Sequence, residues 1–323
     1  MTHALFVVAL SWLTSDPPAP SGQIAYMAGG RVCLCDAGGG KPLHLTDVLR
    51  YGVDRPLVWS PDGSKLLYWS HSEIGWDLWV TDPDGKNQVN LTHAKTGGCR
   101  SGAWSADGKK IAFMRDDPPG LYVMDADGKN QTRLSAKGHR DAPPAWSPDG
   151  KHLLFIDLVS GNGTALDLYR IDSDGANERL LAHGASDPCW LSDGAGILFS
   201  VVGRKECGLC RINAEGNQRT MLSKEPVDTV RLAPDGKSVA YVASEGKGSS
   251  HLWVMDLATQ QARQLTKLDG NGTNLSWSAD GQWLTLEAGS RNQETIYVIN
   301  LAGDQKRRLV DGVAHGPVWR PRR

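Results

Sequence analysis

The phrase Trp-Ser-Pro-Asp-Gly returns along this chain at a nearly fixed interval, and that return decides what the chain can fold into. Full or near copies begin at Trp59, Trp104, Trp146, Trp190, Leu232 and Trp277, and a truncated Trp319-Arg-Pro stands near the C-terminus. Successive starts are 45, 42, 44, 42, 45 and 42 residues apart. A period in this range marks a repeat architecture, in which each unit buries a face against its neighbours. It also filters function, because a residue that recurs in every unit is explained by folding before it is explained by chemistry.

Each unit holds four short apolar runs. A first strand ends at the tryptophan, as in Pro56–Trp59, Pro143–Trp146 and Pro317–Trp319. Ser-Pro-Asp-Gly then turns the chain: proline presets φ, aspartate bonds locally, and glycine supplies φ > 0. A second strand follows (Leu66–Tyr68, Ile111–Phe113, Leu153–Phe155), and after a loop of variable length a third (Leu78–Asp82, Leu121–Asp125, Leu252–Asp256). A second tight turn leads to a fourth, such as Asn90–Thr92 or Arg133–Ser135. Four antiparallel strands repeated radially describe an all-β propeller.

The chain ends set the blade count. Ile24–Tyr26, Val32–Asp36 and Leu43–Thr46 are second, third and fourth strands lacking a first, whereas Pro317–Trp319 is a first strand lacking the rest. Joined, the N-terminal strands (about 24–46) and the C-terminal one (about 316–320) complete a seventh blade and remove an open sheet edge. A six-bladed ring, the alternative, leaves one unit unexplained.

The phrase Pro-x-Trp-Ser-Pro-Asp-Gly-x-x-Ile-Ala-Phe, followed by Tyr-Val-Met-Asp-x-Asp-Gly and Arg-Leu-Thr, resembles the repeat of TolB-type propellers. The same repeat type occurs in prolyl-oligopeptidase-like enzymes. Residues 102–134 carry the fullest match, and the pattern extends over roughly 22–320. The resemblance implies a propeller but only weakly a function. TolB has an additional N-terminal α/β domain and six blades, and this chain has no room for such a domain. The peptidases carry a hydrolase domain with Gly-x-Ser-x-Gly, a motif absent from this sequence. The expected organisation is a signal peptide and linker over 1–20 and a single propeller over 21–323.

With 35 basic and 36 acidic residues, the chain has no excess charge suited to nucleic acid. Ala4–Leu13 is an apolar run too short to span a bilayer, and its length and place fit a secretory h-region. The n-region has His3 but neither Lys nor Arg. The expectation is a periplasmic or secreted monomer with no membrane span, the alternative being cytoplasmic.

Several motifs invite chemistry and have plainer readings. Asp82-Pro-Asp84-Gly85, Asp125-Ala-Asp127-Gly128 and Asp172-Ser-Asp174-Gly175 resemble the start of a calcium loop, but recur at one turn and lack the closing Glu of an EF-hand. Cys207-Gly-Leu-Cys210 lacks the second pair of a zinc finger, although export would permit a disulfide there. Cys33 and Cys35, two apart on one strand, share a face and act as small apolar residues. Most tryptophans are repeat anchors or occupy the third strand; Trp69 and Trp76 are surplus, belong to the variable loop 69–76 on either side of His71-Ser-Glu-Ile-Gly, and are candidate ligand contacts on the loop face.

The tight turns belong on one face of the disc and the variable connections on the other, where function is usually carried. The fourth-to-first connections run toward the central channel and hold Asp54, Arg55, Arg100, His139, Arg140, Asp141, His183, Asp187, Asp228 and His315. These are the candidate contacts for a protein or peptide partner. His139 and His183 stand seven residues before their tryptophans on adjacent units, and some seven-bladed lyases that resemble this repeat class use histidines and a divalent ion. They are therefore weak metal candidates. The leading expectation is nonetheless a non-enzymatic scaffold without cofactor, with no catalytic residue assigned. The alternative is a metal-assisted polysaccharide (oligogalacturonate-type) lyase or hydrolase at the channel mouth.

Overall fold

The computed structural model describes residues 19–48, 57–71, 75–138, 142–158, 166–201, 203, 206–244, 250–268, 270–290 and 293–322. These residues form seven four-stranded antiparallel sheets. Six are contiguous in sequence, and we number the blades I–VII around the ring. Blade II comprises Val58–Trp59, Leu66–His71, Trp76–Thr81 and Val89–Asn90. Blade III comprises Cys99–Trp104, Lys110–Asp116, Pro119–Asp125 and Thr132–Ser135. Blade IV follows with Ala145–Trp146, His152–Leu158, Leu166–Asp172 and Arg179–His183, and blade V with Ala185–Trp190, Gly196–Val201, Gly208–Asn213 and Thr220–Met221. Blade VI holds Val227–Leu232, Ser238–Ser244, Ser250–Asp256 and Ala262–Leu268; blade VII holds Asn271–Trp277, Trp283–Gly289, Thr295–Asn300 and Lys306–Arg308.

Blade I is the composite. Ala314–Trp319 pairs with Gln23–Ala28, and Arg31–Asp36 and Leu43–His44 complete the sheet. Ile24 lies opposite Trp319 and Ala25 opposite Val318. Arg320 locks this closure. Its amide donates to Gln23 O (2.8 Å) and its Nε to Gly63 O (2.8 Å), while its guanidinium lies 5.3 Å from the Trp59 ring centroid in blade II.

Burial is concentrated between blades. Trp59, Leu67 and Leu78 of blade II pack in one cluster with Val32 and Leu34 of blade I and Ile111 and Phe113 of blade III. Similar clusters join III to IV, IV to V, V to VI, VI to VII, and VII back to I. Cys33 and Cys35 are buried in the last of these beside Trp283 and Ile296.

A polar bond recurs within this seam. The anchor indole donates to the carbonyl of the residue before the anchor in the preceding blade: Trp104 to Val58 O (3.3 Å), Trp146 to Ala103 O (3.1 Å), Trp190 to Ala145 O (3.2 Å) and Trp277 to Arg231 O (3.0 Å). A buried carbonyl thus meets its donor without water.

Both tight turns are built as their composition predicts. Ser60 Oγ donates to Asp62 Oδ1 (2.7 Å) and accepts the Lys65 amide (2.9 Å), and Ser105, Ser147 and Ser278 repeat the donation. In the second turn Asn87 Nδ2 donates to Asp82 Oδ2 (2.6 Å). Lys65 and Asn87 together hold the Asp82 carboxyl below the usual range. Asp125 and Asp172 repeat this with Asn130 and Asn177, so these aspartates shape turns. Gly128 has φ +86°, and a Cβ there would stand 2.6 Å from Leu91 O of the preceding blade. Its smallness therefore serves the seam as well as the turn.

The seam bond makes a direct expectation. Trp104→Phe keeps most of the apolar volume but strands Val58 O, and should lower unfolding free energy by about 1–3 kcal/mol in urea melts. Trp104→Ala should lower it by roughly 3–5 kcal/mol. Equal losses for the two variants would show that the indole N–H contributes nothing.

Candidate functional site

The first strands, packed against their neighbours, ring the central channel. At the end facing the long loops, five of them carry one extra residue relative to the second strand. The irregularities fall between Arg100 and Ala103, Ser186 and Cys189, Val227 and Thr229, and Thr273 and Ser276, and in blade I where His315 and Val318 face Met27 and Ala25. In four of these bulges the residue three before the anchor takes a left-handed φ: Ser101 (53°), Asp187 (47°), Asn274 (50°) and Gly316 (58°). Such bulges bend a strand and re-aim its side chains.

Two carboxylates brace these bulges across blade boundaries. Asp187 accepts the Val230 amide (2.6 Å) and Arg231 Nη1 (2.7 Å), tying blade V to blade VI. This joint carries Leu232 in place of tryptophan, so it has no indole N–H, and the ion pair stands there instead. Glu287 Oε2 accepts Asn274 Nδ2 (2.7 Å) and the Gly316 amide (2.9 Å), and its Oε1 meets His315 Nδ1 (3.0 Å). Glu287 is buried, whereas the His315 side chain is 41% exposed. Between them, exposed Asp228 accepts Ser244 Oγ (3.0 Å).

Across the ring, Arg100 lies 5.8 Å from the Trp69 ring centroid and 5.5 Å from that of Trp76, with Asp116 Oδ2 3.4 Å from its Nη2. Trp69 and Trp76 are strand residues rather than loop residues, a correction to their expected place. The second hairpin of blade II continues to the pair His71–Trp76, with Trp69 opposite Leu78. Trp69 is accordingly buried.

His183 also departs from expectation. Its blade's fourth strand runs on until His183 faces Asp167, so it ends the outermost strand, its Nδ1 2.9 Å from Asp167 Oδ1. Asp54, Arg55, His139, Arg140 and Asp141 lie outside the described residues, as does the expected leader. Among the described residues no three His, Cys, Asp or Glu side chains converge as a metal site, so no metal-dependent step is derived from His183. The structure therefore places Asp187, Asp228 and His315 near the bulged ends of the first strands of blades V, VI and I, sets Arg100 apart beside its tryptophans, and places His183 on a blade edge.

Arg231, Asn274 and Glu287 also belong to this mouth, although residue order alone does not single them out. The signals were the missing tryptophan at Leu232, and the shared offset of Ser101, Asp187, Asn274 and Gly316 from their anchors. All six cysteines are free thiols. Burial pushes Cys35 and Cys99 up to about 11, which keeps them protonated and inert at neutral pH. Cys207 donates to Lys224 O (3.5 Å).

The brace is testable without a ligand. Asp187→Ala leaves the Val230 seam amide unmet and removes the ion pair with Arg231, and should cost about 1–3 kcal/mol in urea melts. Asp228→Ala, on an exposed group, should stay within about 0.5 kcal/mol. Equal effects would contradict the distinction between bracing and presented groups.

A model of the TolB beta propeller domain matches residues 21–230 and 209–322. Over 155 residues the chain is 31% identical to the uncharacterized peptidase YuxL of Bacillus subtilis, covering 46% of this chain and 22% of that protein. It is 28% identical over 273 residues to a TolB homolog of Chlorobium luteolum, covering 68% of this chain and 61% of the relative. The chain thus spans less than two thirds of these relatives' lengths. Among solved structures, TolB from Acinetobacter baumannii superimposes with a TM-score of 0.60 at 19% identity, over 95% of this chain and 68% of that one. An oligogalacturonate lyase in complex with manganese reaches 0.69 at 18% identity, over 89% and 85%. At such identities these two structures speak for the fold alone. With the family model covering nearly the whole described ring, this chain belongs to the TolB β-propeller family.

Proposed function

We propose that this chain is a non-enzymatic binding scaffold of the cell envelope, whose long-loop face takes a protein or peptide partner around the channel mouth. The observation that carries this reading is the left-handed bulge repeated at one offset from the anchor. A non-glycine residue in that region costs of order 1–3 kcal/mol, and such strain is concentrated at functional sites. Here three non-glycine residues bear it inside bulged first strands of three blades, whereas the other recurrent left-handed residues, Asn87, Asn130, Asn177, Gln218 and Gln260, sit in the second tight turn, where such a backbone is ordinary turn geometry.

The residues at that offset differ from blade to blade, while those that build the turns and anchors hardly vary. A rigid platform presenting different polar groups at equivalent points is suited to recognition. Both charge signs are offered around the mouth, with Arg100 and Arg231 as cations and Asp187 and exposed Asp228 as anions. A partner with an interspersed polar surface complements this better than a uniformly charged polymer does. The envelope assignment rests on the apolar run Ala4–Leu13 and on the family resemblance.

The test uses exposed positions that leave both braces intact. Tagged wild type, Asp228→Arg/Thr273→Arg, and the turn-face control Lys86→Glu/Lys129→Glu are compared in pull-downs from the envelope fraction of the source cells. The mouth variant should lose partners that wild type and control keep. Retention of every partner by the mouth variant would refute the chosen face. Cleavage of acidic oligosaccharides in the presence of manganese would refute the non-enzymatic reading.

A further inference from the structure

We propose a second docking surface, separate from the channel mouth: the outer edge of blade VII, which receives an extended, acidic segment of a protein partner. The fourth strand of that blade reads Lys306-Arg307-Arg308 and ends its sheet. Beside it runs the fourth strand of blade VI, which carries Arg263 and Lys267. The two meet directly, since Lys306 Nζ donates to Lys267 O (3.4 Å) and the Arg263 guanidinium donates to Leu301 O. Arg307 turns the other way and donates to Ala37 O and Gly38 O of blade I. Lys306 and Arg308 therefore share the face toward blade VI, with Tyr297 between them: its ring centroid is 4.6 Å from Lys306 Nζ, and Arg308 is its cross-strand partner.

Charge separates this rim from the others. Several rim cations elsewhere are matched by carboxylates, as Lys137 is by Glu178 (2.7 Å) and Arg219 by Glu206 (2.6 Å), while the single Arg133 of blade III donates to Pro119 O. Among the described residues, none of Arg263, Lys267, Lys306, Arg307 or Arg308 forms an ion pair with a carboxylate. Four of the five are exposed. In a chain of formal net charge −1, this is local segregation of charge.

The backbone points to the form of the occupant. Gln305 O accepts the Asn300 amide and the Leu309 amide donates to Ile296 O, so the odd-numbered residues of this strand bond inward to the third strand. In an antiparallel ladder the intervening residues, Lys306 and Arg308, direct their amide and carbonyl groups outward. Their side chains lie on one face, about 7 Å apart along the strand. An added strand with acidic residues at alternate positions would meet the same repeat and bond the open edge. Lysine on an edge strand also guards a sheet against unwanted pairing, and the experiment separates the two roles.

Full-length protein is titrated against a fluorescein-labelled peptide alternating Glu and Thr, with a Lys/Thr peptide and anionic phosphatidylglycerol vesicles as competing probes. Wild type should bind the acidic peptide in a salt-dependent manner, and binding should slow hydrogen exchange at the Lys306 and Arg308 amides. Lys267→Glu/Lys306→Glu/Arg308→Glu, with its unfolding transition checked, should weaken binding about tenfold or more. Asp228→Arg/Thr273→Arg should leave it unchanged, so that this surface and the channel mouth fail independently. Four results would overturn the proposal: no binding by wild type, equal binding by the triple variant, binding without protection at Lys306 and Arg308, or preference for the vesicles.

Discussion

The structure depends on the apolar seam between blades, where the anchor side chains fill space and, at four joints, an indole gives its N–H to a carbonyl of the blade before it. A single four-stranded sheet has two apolar faces and cannot bury either alone. Seven sheets in a ring bury all fourteen, provided the ring closes. Here the ring is closed by a non-covalent junction: Ala314–Trp319 is held to Gln23–Ala28 by strand pairing, and Arg320 extends the lock to blade II.

Regularity gives way at the long-loop end of the first strands. Toward the tight turns, the strands obey the repeat. Toward the long loops, the first strands bulge, and Asp187 and Glu287 fasten the bulges to the next blade. The joint that lacks an anchor tryptophan, at Leu232, is one of those fastened by a carboxylate. Loss of one seam bond and gain of another at the same joint keep the ring continuous while placing a charged pair at the channel.

Much of this was legible from residue order. The 42–45-residue spacing of the anchors and the split blade at the chain ends correspond to seven sheets and the observed closure. The Ser-Pro-Asp-Gly and Asp-x-Asp-Gly turns were readable because proline, aspartate and glycine each have a distinct local effect. The bulges were not, because the position three before the anchor is filled by Ser, Asp, Asn and Gly, which share tolerance of turns rather than a signature. Nor does sequence mark where a hairpin stops. Residue order puts Trp69 and Trp76 in a loop, whereas the strands continue through them, and it puts His183 on the channel approach, whereas pairing with Asp167 holds it at a blade edge. Cross-blade partners such as Arg231 for Asp187 stand 44 residues apart and become visible only when the ring is built.

The central claim is that the bulged mouth, rather than the tight-turn face, meets the partner. Site-specific photocrosslinking in living cells tests it most directly, with the reactive side chain placed at Thr273 on the mouth or at Asp84 on the turn face. The account predicts a discrete, reproducible protein adduct from position 273 and none from position 84. An adduct from position 84 with none from position 273 would contradict it.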